Sequence, residues 1–247
     1  MMVKLDVAKV LFGAFLVPWW NRRAFVRALA IPFAALVTLS LAWYFGQEYV
    51  PALANWFLYA FYVALFALFA ITCHRLVLLD PQSIAPSWVP RWSRRETRFF
   101  LWLLALGLIS TSVILASATV LSTLILNLRD LPTGEPRDTW FVWILTAANV
   151  PALYLFARLC LVFPATAVDR KVNLQWAWAL SANNGWRLFL IVAVLPWIIA
   201  QCIKLLYRSD AGAIETVVLT FLGYALMAVE VAALSLSYRE LTKREVP

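Results

Sequence analysis

Six apolar runs set off by short polar stretches make up most of the chain, at residues 24–45, 53–73, 99–126, 140–163, 188–206 and 212–236. A helix rises 1.5 Å per residue and the hydrocarbon layer of a bilayer is about 30 Å deep, so about 20 apolar residues in a row cross it. The pattern therefore predicts six transmembrane helices. A seventh run, residues 10–20, is eleven residues long and contains Pro18. It is too short to cross and reads as an amphipathic helix lying in the interface. One early cation, Lys4, and the lack of a small-x-small exit argue against a removable signal segment.

Composition agrees with this pattern. Hydrophobic residues make up 64% of the chain and charged ones 14%, against roughly 25% charged in soluble domains. The formal charge of +8 raises the question of nucleic acid, and the placement of the cations answers against it. With the N-terminus inside, 17 of the 21 Lys and Arg fall in inner loops or at inner span ends; only Arg129, Arg137, Lys204 and Arg208 fall outside. Short loops rich in Lys and Arg stay on the cytoplasmic side, so both termini are predicted to be cytoplasmic. Cys73, Cys160 and Cys202 lie in or beside apolar runs without C-x-x-C spacing and read as small apolar fillers.

Two stretches repeat at one offset. Arg23 and Arg187, Pro32 and Pro196, and Arg75 and Arg239 are each 164 residues apart, and the same shift places Phe25 on Phe189 and His74 on Tyr238. The chain thus reads as a single membrane domain, 1–247, with unit one at 3–79, two central spans at 98–164 and unit two at 167–243. Two spans intervene, so the repeat is parallel. In each unit an interfacial helix turns into the bilayer at a Trp and an Arg: Trp20 with Arg23, and Trp186 with Arg187. A proline nine residues further in should kink the span.

The stretches LFAITCHRLVLLD (68–80) and LFARLCLVFPATAVDRKVNLQWAWALSANNGWRL (155–188) carry a resemblance. An Arg in a span, a Pro-Ala before an Asp, a surface helix with Trp and Ala, and a Gly-Trp-Arg re-entry follow one another at Arg158, Pro164, Asp169, Trp186 and Arg187. His74 and Arg75 form a second signature. This resembles the membrane domain associated with glycerophosphodiester phosphodiesterases and the YciC-like group of uncharacterised bacterial inner-membrane proteins. About half the chain is covered. The resemblance implies an accessory module of the bacterial inner membrane and carries no activity, because no phosphodiesterase domain is attached.

Two ionisable side chains fall deep in the apolar runs, Arg158 in span 4 and Glu230 in span 6, at similar depth toward the inner leaflet. An isolated charge at the bilayer centre costs about 2.5–3.5 kcal/mol even on a lenient scale, so the two are expected to pair. The pair reads either as a clamp between spans or as a proton- or substrate-linked site. Thr216, Gly223, Glu230 and Ser237 recur every seven residues and should face the bundle interior. In span 3, Gly107, Ser110, Thr111, Ser112, Ser117, Thr119, Ser122 and Thr123 predict close helix packing, with a polar conduit as the alternative. His74 is expected at the interface, bonding a headgroup or a loop.

The loop at 80–98 interleaves Arg91, Arg94, Arg95 and Arg98 with Trp88 and Trp92. It reads either as an ordinary positive-inside loop with aromatic anchors or as a specific site for anionic headgroups, since juxtamembrane cations attract anionic lipid at about 1 kcal/mol each. Candidate headgroup or partner contacts are Arg23, His74, Arg75, Trp88, Arg91, Trp92, Arg94, Arg95, Asp169, Trp186, Arg187 and Arg239. No nucleophile elbow, phosphate loop, HExxH or metal cluster is written in the chain, so no catalysis, cofactor or metal is expected.

The expected fold is all-α: a polytopic bundle of six transmembrane helices with two interfacial amphipathic helices. The expected role is a non-catalytic module that binds anionic lipid or a membrane protein partner at its cytosolic face. The alternatives are a small carrier using Arg158 and Glu230, or an accessory subunit of a larger membrane complex.

Overall fold

The computed structural model describes residues 4–46, 50–84, 86, 92–127, 137–206 and 212–243. Ten α-helices are described: α1 Val7–Trp20, α2 Arg22–Gly46, α3 Ala52–Leu78, α4 Arg94–Asn127, α5 Arg137–Leu159, α6 Val162–Ala167, α7 Leu174–Leu180, α8 Gly185–Phe189, α9 Leu195–Leu206 and α10 Ala213–Thr242. Among the described residues, six helical stretches are long and apolar enough to cross a membrane. They match the six apolar runs, and the protein is an all-α multi-pass helical bundle.

Local chemistry sets the helix starts. Asp6 caps α1 by accepting the Lys9 N–H at 3.1 Å, and Asn173 caps α7 by accepting the Trp176 N–H at 2.8 Å. α4 begins at Arg94, five residues before the apolar run, because Ser93 and Glu96 form a capping box. The Glu96 carboxylate accepts the Ser93 backbone N–H at 2.8 Å and its hydroxyl, while Ser93 Oγ accepts the Arg95 N–H at 3.3 Å.

Prolines shape two of the spans. Span 4 breaks at Cys160–Leu161 into α5 and α6. Pro164 has no N–H to give the Cys160 carbonyl, and that carbonyl accepts the Phe163 N–H at 3.0 Å instead. Ahead of Pro196 the helix takes a π turn over Leu190–Val194. Pro32 lies inside an α2 that continues to Gly46, so the two repeat-related prolines have different local outcomes.

All six residues of α6 are buried. A short helix buried all round is a core element, and this one packs against α3, α4 and α10, with Phe163 beside Phe99 at 5.0 Å between ring centroids. α1 lies on α10, where a Cβ on Gly13 would stand 3.0 Å from Leu236 Cδ1. Elsewhere the spans turn large apolar side chains outward, such as Trp56, Leu108 and Phe221. In a bilayer these meet lipid.

Shifted by 164 residues, Arg22 at the start of α2 falls one residue past the start of α8, and Leu78 at the end of α3 falls on Thr242 at the end of α10. The lead-in helices differ, with 14 residues in α1 and seven in α7.

Candidate functional site

The end of the bundle that carries α1, α6, α7 and the first turn of α4 holds most of the polar contacts. The turn after α6 places Asp169 at φ 64°, in the left-handed region. Asp tolerates that conformation because its short polar side chain bonds locally. From there its Oδ2 accepts from Arg75 Nη1 at 3.3 Å and from Arg95 Nη1 at 3.1 Å. Arg75 also donates to the Ala167 carbonyl at 3.0 Å, and Arg95 pairs with Glu96 at 2.8 Å. A continuous run of charges thus ties α3, the α6–α7 turn and the start of α4.

His74 and Arg75 are both engaged by groups of the protein itself. His74 is 2% exposed and its Nδ1 lies 2.7 Å from Ser235 Oγ on α10. Burial behind Phe99 and α10 excludes it from the interface.

Arg158 and Glu230 do not pair. Arg158 Nε donates to Ser181 Oγ at 3.0 Å, its Nη2 donates to the Trp178 carbonyl at 2.8 Å, and its guanidinium stacks over the Trp178 ring at 3.4 Å. The arginine stem is long enough to carry its charge out of the apolar layer to α7. Glu230 is half-buried on α10, and the ion pairs among the described residues do not include it. Of the rest of its stripe, Thr216 and Ser237 are buried, and Gly223 faces Ile203 of α9 at 3.9 Å for an added Cβ.

The hydroxyls of span 3 are divided. Ser112, Thr119 and Thr123 are exposed and bond carbonyls of their own helix, and an added Cβ on Gly107 would meet nothing within 4 Å. α4 nonetheless packs closely along α5, and Ser110, Ser117 and Ser122 are half-buried, so only part of this stripe faces outward.

Two grooves open on the basic end. One, of about 750 Å³, lies between α4 and residues 166–172. Arg94, Arg98, Arg170 and Lys171 line it with Leu101 and Ala105, and among the described residues none that lines it is acidic. Ala105 is eleven residues past Arg94, about 16 Å further along the helix, so the groove runs from cations into the apolar layer. The other, of about 620 Å³, is lined by Trp20, Arg22, Arg23, Arg27, Asp80 and Gln82. There Arg27 is engaged, donating to the carbonyls of Pro81, Gln82 and Ile84 at 3.3–3.4 Å.

Of the remaining predicted contacts, Arg23, Arg239, Trp92 and Trp186 are exposed. Trp92 donates to Thr97 Oγ1 at 2.9 Å, and the Trp186 ring lies tilted against Tyr154 with centroids 5.0 Å apart. Arg187 lies 3.4 Å from Asn184 Oδ1, the atom that accepts the Leu5 N–H at 2.8 Å. Trp88 and Arg91 lie outside the described residues. Arg98, Arg170 and Lys171 were missed as site residues. The first sits at i+4 from Arg94 on one helix face, a spacing readable in the sequence; the other two required the α6–α7 turn. No family model, curated protein or solved structure matches the chain.

Proposed function

We propose that this protein is a non-catalytic module of the bacterial inner membrane that binds anionic phospholipid at its basic end. The α4 groove carries the reading. Four cations at the head of a cleft that continues into apolar residues suit an amphiphile with a negative headgroup and an acyl chain. The accessory character implied by the resemblance fits the same role.

A carrier working through Arg158 and Glu230 is less well supported, because the guanidinium is engaged by Trp178 and Ser181. The test is purification in mild detergent followed by native mass spectrometry after adding equal phosphatidylglycerol and phosphatidylcholine. Retention of the anionic lipid at tenfold or more over the zwitterionic one is the expected result. Equal retention would refute the proposal.

A further inference from the structure

Resting on that reading, we infer that the α4 groove is a site for a lipid that carries two phosphate groups. The argument is one of charge and spacing. Arg94 and Arg98 stand one turn apart on α4, and Arg170 and Lys171 line the same groove from the segment after α6. Among the described residues Arg94, Arg98 and Lys171 have no carboxylate partner, and Arg170 lies 5.0 Å from the Trp176 ring.

The nearest acids in sequence, Glu96 and Asp169, are already held by Arg95 and Arg75, so they do not neutralise the groove. A monoester or diester phosphate brings one or two charges to a single point. Two linked phosphates bring a negative group to each wall of the groove, one to Arg94 and Arg98 on α4 and one to Lys171 on the facing segment. Arginine binds phosphate through paired N–H donors and lysine as a point charge. Below the cations, Leu101 and Ala105 continue the groove down the helix and accept acyl chain. A free diphosphate would use only the upper half.

The experiment uses the full chain in phosphatidylcholine nanodiscs, titrated with diphosphatidylglycerol or with phosphatidylglycerol at equal total phosphate, and read by native mass spectrometry. The expected result is at least tenfold preference for diphosphatidylglycerol. That preference should fall to about twofold or less in Arg98→Gln with Lys171→Gln. It should hold in Lys4→Gln with Lys9→Gln, which alters two exposed cations that do not line the groove. Millimolar inorganic diphosphate should not displace the lipid.

Equal binding of the two lipids per phosphate overturns the two-phosphate site while leaving an anionic-lipid module standing. Loss of preference in both variant pairs places the binding on general surface charge and overturns the site. Displacement by inorganic diphosphate makes it a site for the free anion and not for lipid. Binding of neither lipid above the phosphatidylcholine background defeats the underlying reading itself. If the groove variant fails to fold, a salt titration of the wild type replaces it: preference that persists unchanged to 1 M salt overturns the charge argument, and a steep fall supports it.

Discussion

Asp169 is the residue at which backbone strain and charge can be separated. Its carboxylate is 55% exposed and joins two arginines that are 24% and 21% exposed, at 3.3 and 3.1 Å. Pairs this open to solvent contribute about 0.5 kcal/mol each, so the charge part totals about 1 kcal/mol. The backbone part comes from φ 64°. Replacing Asp by Ala there adds about 1 kcal/mol, because Ala lacks the polar side chain that makes the left-handed region tolerable. Asp169→Asn keeps the conformation and loses the charge, so it should cost about 1 kcal/mol; Asp169→Ala loses both and should cost about 2 kcal/mol.

The assay is thermal unfolding read with a thiol-reactive fluorophore. Cys73 and Cys160 are buried and Cys202 is exposed, so a Cys202→Ser background reports core opening alone. At about 2–4 °C per kcal/mol for a chain of this size, Asn should lower the midpoint by about 3 °C and Ala by about 6 °C. Raising salt to 1 M should shrink the wild-type advantage over Asn and leave the Asn-to-Ala difference in place, since screening acts on charge and not on torsion. Equal midpoints for Asn and Ala would refute the backbone argument. An unchanged midpoint for Asn at low salt would refute the bridge.

Three further outcomes follow from the same structure. Gly13→Leu should lower the unfolding midpoint by about 1–3 kcal/mol equivalent, because an added Cβ already stands 3.0 Å from Leu236 Cδ1; an unchanged midpoint would mean that α1 does not rest on α10. Ser93→Ala should cost about 1 kcal/mol and Glu96→Ala about twice that, since Glu96 both caps α4 and receives Arg95; equal costs in the same assay would remove the Arg95 contribution. Exchanging the charges as Arg158→Glu with Glu230→Arg should be no better folded than either single change. Recovery of the midpoint in that double variant would restore the pairing that the structure replaces with Trp178 and Ser181.

The spans were legible because burial in a bilayer writes itself as run length, and run length survives without knowledge of neighbours. Helix starts were legible only where a cap is local. The Ser93–Glu96 box has the spacing of a capping motif, yet the apolar run begins only at residue 99. The destinations of the charged side chains were much less readable. Arg158 and Glu230 looked like partners because both lie at matching depth in apolar runs. The energetic premise, that an isolated charge in lipid is costly, is sound. It does not choose the remedy, however, and a flexible arginine reaches a carbonyl and an indole ring that only the folded α7 supplies. His74 shows the opposite error: a histidine at the end of a span looks interfacial until α6 is seen to close over that end of the bundle.

These contacts also explain why the groove has cations on two sides. After α6, the chain must turn back toward the interface without uncovering the buried Thr166 and Ala167, and the left-handed Asp169 makes that turn within one residue. Arg75 on α3 and Arg95 on α4 hold the turn by its carboxylate. Arg170 and Lys171 follow immediately in the chain, while Arg94 and Arg98 flank Arg95 on the helix, so one neutral knot fixes both cationic walls. Had Asp169 and Glu96 been left unengaged, their charges would have offset half of the four cations at short range. Because Arg75 and Arg95 hold them, the positive field of Arg94, Arg98 and Lys171 is directed at whatever enters between α4 and the segment after α6. The clamp therefore does electrostatic as well as mechanical work, and the positive potential of the groove depends on two acids that do not line it.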